Sequence, residues 1–133
     1  MTRPAKNPGY SALQGAIYSA LTAAALAVYD EAGENLAFPY LTIGESSAIE
    51  AGTKTENADE HIETLHVWSR YKGFKECKDL AALAIQAVSG YTYSSVTGYS
   101  IRLIEVNEAV FMRDPDGLTR HGVVRLKFKV IQE

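Results

Sequence analysis

Two segments of alternating side-chain character flank a polar turn near the C-terminus, and they limit the fold of this 133-residue chain more than any other feature. Ile101 to Met112 reads IRLIEVNEAVFM, and Val123 to Ile131 reads VVRLKFKVI. In the second segment Val124, Leu126, Phe128 and Val130 fall on one face of a strand, with Arg125, Lys127 and Lys129 on the other. Between the segments, Asp114-Pro115-Asp116-Gly117 is turn chemistry. Pro115 presets φ for the first corner of a type I turn, and Gly117 accepts positive φ without a Cβ clash. The last third of the chain therefore reads as a long antiparallel hairpin. Its tip, Arg113 to Gly122, is rich in ionisable groups, and it is either a solvated turn or a contact surface.

The rest of the chain supplies enough apolar residues for a core under this hairpin. Hydrophobic content is 47% with 22% charged residues, which fits one globular domain and argues against disorder. A net charge of -3 gives no general basic field for nucleic acid. One cysteine, Cys77, excludes an internal disulfide and a multi-cysteine zinc site, and it falls at an apolar helix position. The most apolar run, Ala20 to Val28, is too short to cross a bilayer, and the reading is a cytosolic assembly with no membrane partner.

Along the chain, residues 1–8 read as a flexible arm and 9–133 as a single domain. Ser11, with Gln14 three residues on, offers a capping box for a first helix carrying Leu13, Ile17, Leu21, Ala24 and Val28 at helical spacing. The polar side of that helix is small and nearly uncharged. A strand is expected over Phe38 to Gly44, then a loop from Ser46 to Asn57 without core periodicity, and a strand over Glu60 to Ser69. Gly73 opens a second helix bearing Phe74, Cys77, Leu80, Ala81, Ala84, Ile85 and Val88, and Gly90 supplies its stop. Tyr91 to Ser100 has room for a short strand. This order predicts an α+β fold: an antiparallel sheet of about four to five strands, two helices packed on one face, and a long C-terminal hairpin.

Catalytic chemistry is hard to find. Asp59, His61 and Glu63 share one strand face, with His66 nearby in sequence, so a metal-dependent hydrolase is one reading. Solvent-facing residues of an edge strand are the other. Asp114-x-Asp116-Gly117 opens like a calcium loop but lacks the later acidic ligands. Phosphate-binding and nucleophile motifs are missing from the sequence. Arg125, Lys127 and Lys129 fit cross-strand pairing with Glu105 or Glu108 better than a phosphate-binding stripe. The reading is no enzyme, with no catalytic, metal or cofactor-binding residues.

Four stretches in order carry a resemblance. They are Leu13-Gln14-x-Ala16-Ile17-Tyr18-x-Ala20-Leu21-Thr22, Phe38-Pro39-Tyr40, Leu65-His66-Val67-Trp68-Ser69-Arg70, and Arg113 to Gly122. Together they resemble the tail-terminator (tail-completion) family of tailed phages, prophages and gene transfer agents, over about Gly9 to Val130. The chain departs from that pattern between Ser89 and Ser100, where the family tends to carry a small apolar strand.

The resemblance implies a structural virion protein at the neck of the tail, assembled in a bacterial host cytoplasm. Such proteins form a homo-hexameric ring on the head-proximal end of the tail tube, stop its polymerisation, and meet the head-tail connector. DNA then contacts the protein only by passing through the ring. A head-completion or neck protein of the same particle is the alternative within that setting. For contacts with the tube and connector, the candidate residues are Arg113, Asp114, Asp116, Arg120 and His121 at the tip, with Thr53, Lys54 and Thr55 in the long loop. Strand edges and the first helix are left for lateral contacts.

Overall fold

The computed structural model describes residues 3–93 and 96–133. Helix α1 (Tyr10–Ala23) is followed by β1 (Val28–Tyr29), β2 (Tyr40–Glu50), β3 (Ala58–Ser69), α2 (Lys75–Gly90), β4 (Tyr99–Arg113) and β5 (Arg120–Gln132). The strands form one sheet in the order β1-β2-β3-β5-β4, antiparallel except for the short β1–β2 pair. The α+β reading and the C-terminal hairpin hold. Strand β5 takes the centre with β3, and β4 is left as a fifteen-residue edge.

Alternation of apolar residues decides what lies under the helices. Leu41, Leu65, Val67, Val124, Leu126, Phe128 and Val130 point to the helical side and join Leu13, Ile17, Leu21, Cys77, Ala84 and Val88 in one core. Burial of such side chains contributes on the order of 1.5–3 kcal/mol each. The opposite sheet face carries the Arg125, Lys127 and Lys129 row. Arg125 pairs with Glu108 at 2.6 Å, and Lys127 lies 3.3 Å from Glu60 and 3.8 Å from Glu105. These are the cross-strand ion pairs that the alternation implied.

Several elements differ from the sequence reading. The loop expected over Ser46 to Asn57 is shorter than that: β2 continues to Glu50, and residues 51–57 make the turn. A bulge between Ile43 and Ser46 breaks the alternation, and the strand beyond it is exposed throughout. With neither face buried, the sequence had no periodicity to show there. Helix α1 is capped at Gly9 without a side-chain hydrogen bond, so Ser11 and Gln14 form no capping box. It ends at Ala23, and Val28 is a buried strand residue instead of a fourth helical turn. Leu26 N–H bonds Leu21 C=O and Ala25 N–H bonds Thr22 C=O, a Schellman stop with Ala25 at φ +60°.

Asp59, His61 and Glu63 are not solvent-facing. All three are at most 5% exposed, turned toward α1, where the Tyr10 ring edge meets His61. Residues of the N-terminal arm lie against this end of the sheet. Lys6 reaches Asp59 at 2.7 Å, Asn57 donates to the Pro4 carbonyl, and Gln132 donates to that of Ala5.

Candidate functional site

The hairpin tip is built from its own polar groups. Gly117 N–H donates to Asp114 C=O at 3.0 Å, and Asp114 N–H to Thr119 C=O at 2.9 Å, with Gly117 at φ +73°. Asp116 Oδ1 accepts the N–H groups of Leu118 and Thr119, and Oδ2 accepts the Thr119 hydroxyl at 2.7 Å. These donors favour the charged carboxylate, the Thr119 N–H most, and hold Asp116 at a pKa of about 2.

Arg70, just beyond β3, fastens the tip to the sheet. Its Nε donates to Thr119 Oγ1 at 3.2 Å, Nη2 lies 3.9 Å from Asp116 Oδ2, and the guanidinium sits 4.5 Å from the Phe38 ring centroid. Three of the sequence stretches singled out above thus converge on one corner of the molecule.

Below the tip, on the face away from the helices, a row of imidazoles and carboxylates crosses the sheet. His121 stacks on Trp68, and its Nε2 lies 2.6 Å from His66 Nδ1. His66 Nε2 in turn is 2.9 Å from Glu45, and His121 Nδ1 is 3.7 Å from Asp114. At 2.6 Å the two facing nitrogens share a single proton, since two would clash and none would leave lone pairs opposed. Burial, then the charge of His66, lowers the His121 pKa, while Asp114 and Glu45 oppose this. The glycine at position 44 makes room for the arrangement, because a Cβ there would come within 2.5 Å of the His66 ring. Gly122 is a packing glycine too: its missing Cβ would sit 3.2 Å from Cys77 Sγ and Phe111.

The tip candidates therefore divide. Asp116 and His121 are spent on internal bonds, and Asp114 faces His121. Arg120 donates from Nη1 to the Leu118 carbonyl at 2.7 Å and does not bond Asp116 across the turn. Arg113 is exposed, lying 5.6 Å from the Phe74 ring centroid. Arg70, Trp68 and Glu45 were not among the nominated residues. Trp68 and Arg70 stood in a quoted stretch, but nothing in the sequence marked Glu45. Leu118, 61% exposed, was not nominated either; an apolar side chain within a polar turn is the one signal it carries.

Thr53, Lys54 and Thr55 lie at the other end of the sheet, about 40 Å away along strands of this length. Thr53 Oγ1 accepts the N–H groups of Thr55 and Glu56, and Arg3 binds the Thr53 carbonyl. The two sets of candidates are not one patch.

No arrangement for metal-dependent hydrolysis is built at the third carboxylate-rich place. His61 Nδ1 is 3.6 Å from Glu63, Asp59 is held by Lys6, and the hollow beside Asp59 has about 10 Å³ of space, enough for one water. Among the described residues no three His, Cys, Asp or Glu are grouped to hold a metal ion. Cys77 is buried, and desolvation pushes its thiol up to about 11.

Comparison with known proteins agrees with a structural reading. A family model described as tail completion protein gp17 matches residues 10–131. The tail completion protein gp17 of Bacillus phage SPP1 is 24% identical over 103 residues, covering 77% of this chain and 75% of that protein. A chain from the virion of a native gene transfer agent particle superposes with a TM-score of 0.79 at 27% identity. That match covers 95% of this chain and 99% of the other.

Proposed function

The chain belongs to the tail completion protein gp17 family, structural proteins and not enzymes, and from that premise we propose that it caps the tail tube of a virion as a ring. In this reading six copies close on the head-proximal end of the tube, stop its polymerisation, and offer their free face to the head-tail connector. The DNA passes through the lumen, and assembly takes place in the cytoplasm of a bacterial host.

One observation carries the reading: the sheet has two unlike open edges. Among the described residues no strand pairs with the outer edge of β4, where Ile104, Val106, Val110 and Met112 are each 39–42% exposed. On the far side β1 covers β2 only at Leu41 and Thr42, so the stretch to Glu50 is open, with Ile49 at 68% exposure. Exposed apolar edges are an aggregation hazard for a monomer and are normally blunted or covered. Two different edges on one sheet suit a head-to-tail contact, which closes into a ring when the rotation per subunit allows it. The small, nearly uncharged outer side of α1, where Tyr18, Ser19, Thr22 and Ala23 are exposed, is available beside them.

The tip and the 51–57 turn, at opposite ends of the strands, are then suited to opposite ring faces. The test is native mass spectrometry of the purified protein with and without isolated tail tubes. Six copies per tube end support the ring, while a fixed dimer that ignores tubes overturns it. Binding to filled heads that have never met a tail would assign it to head completion instead.

A further inference from the structure

We propose that the hairpin tip is an arginine-flanked apolar knob that seats Leu118 in an apolar socket rimmed by carboxylates on an axial protein partner. The proposal rests on the ring reading, which gives the tip an axial partner, and it adds the chemistry of that partner.

Leu118 is 61% exposed at the end of a turn whose carboxylate, Asp116, is engaged by its own backbone and Thr119. Its N–H is given to Asp116 and its carbonyl receives Arg120, so the leucine is held outward by a fixed backbone. An apolar side chain presented on a rigid turn has already lost the freedom that binding would otherwise remove. Its burial against a partner is worth on the order of 1.5–3 kcal/mol.

The tip carboxylates are engaged by neighbouring donors, which leaves the arginines as its free charges. Asp116 takes three hydrogen bonds within the turn, Asp114 faces His121, Glu76 accepts the Ser69 hydroxyl, and Asp79 pairs with Lys75. The arginines gather at the tip: Arg120 binds the Leu118 carbonyl, exposed Arg113 is its register partner on β4, and half-exposed Arg70 binds Thr119. Arginines beside an apolar anchor favour a carboxylate-rimmed pocket and repel a basic one, which sets partner choice and encounter rate. Nucleic acid would use the cations but has no use for Leu118.

Head–tail joining in vitro tests this. Heads and tails from particles that lack the protein are mixed with purified full-length chain, and joined particles are counted by electron microscopy at low and moderate salt. Leu118→Ala, a truncation of an exposed side chain that leaves the thermal unfolding midpoint unchanged, is expected to raise the concentration for half-maximal joining about tenfold or more. Arg113→Glu is expected to do the same at low salt, with the gap narrowing as salt rises. Wild-type-like joining by both variants overturns the knob while leaving the ring intact. A loss confined to Arg113→Glu, with DNA binding by the wild type, also overturns it in favour of a phosphate contact. Failure of the wild type itself removes the axial partner, and the ring reading and the knob fall together.

Discussion

The His121 imidazole lies face to face with the Trp68 indole, centroids 4.0 Å apart and planes 9° from parallel, and this contact joins the tip of the β4–β5 hairpin to β3. It is why two stretches separated by about fifty residues behave as one corner of the molecule. It also sets how that corner responds to acid.

His121 has a lowered pKa in the folded state, from burial first and from His66 second. A base that is harder to protonate when folded than when unfolded costs stability once the unfolded chain begins to bind the proton. Stability is therefore complete above the unfolded value of about 6.5 and declines as pH falls from there toward the lower folded value. Imidazole NMR titration should place His121 below the free value, and urea melts should show wild type losing more stability than His121→Gln between pH 7.5 and 5. A His121 pKa at or above the free value would contradict the stacking and shared-proton account.

Asp116 should prove structural. Its carboxyl is held at about pH 2 by the Thr119 and Leu118 donors, below an unfolded value near 3.8. Its contribution is present above the unfolded value and is lost as pH falls through the folded one. Asp116→Ala should lower the unfolding midpoint at pH 7, and the difference from wild type should shrink at pH 2. Amide exchange at Leu118 and Thr119 should speed up in the variant. An unchanged midpoint with slow exchange would show that the turn does not depend on this carboxylate.

Ala25 stands where helices prefer glycine. Its φ of +60° puts a Cβ in the left-handed region, at a cost of roughly 1–2 kcal/mol. Ala25→Gly removes that cost but adds unfolded-chain entropy of about 0.4–1 kcal/mol. The expected net result is a gain of about 0.5–1 kcal/mol in urea denaturation. A loss would mean that the helix stop is not as described.

Two glycines should resist a methyl group for different reasons. Gly44→Ala pushes against the His66 ring at 2.5 Å and against the Thr64 carbonyl at 3.3 Å, so it should disturb the His66–Glu45 contact and shift the His66 NMR signals. Gly122→Ala meets Cys77 and Phe111 in a packed core and should cost about 1–3 kcal/mol. Neutral behaviour in both variants would contradict the packing at this corner.

Legibility in the sequence followed burial. Where one face of an element is covered, the pattern was plain: β5 showed its core side as Val124, Leu126, Phe128 and Val130, and Leu13, Ile17 and Leu21 marked α1. Residues 46–50 gave nothing because both faces of that strand are exposed, and a bulge shifts its phase. Val28 kept helical spacing from Leu21 by coincidence, and the left-handed Ala25 that ends the helix carries no glycine to reveal it. Asp59, His61 and Glu63 looked solvent-facing because charged residues usually are, but Lys6 and α1 bury them. At the site, turn chemistry explained Pro115 and Gly117 from sequence alone. The use of Asp116 and His121 inside the fold was not readable, since it depends on Thr119, Trp68 and His66 arriving at the same place.

A chain that caps the tail tube controls where the tube ends, and the length distribution of tails reads this out. Tails from particle-producing cells that lack this chain should be abnormally long or variable and unattached to heads. Supplying the wild-type protein during assembly should restore one length and joined particles. Tails of normal length and normal joining in the absence of the protein would contradict tube capping by this chain.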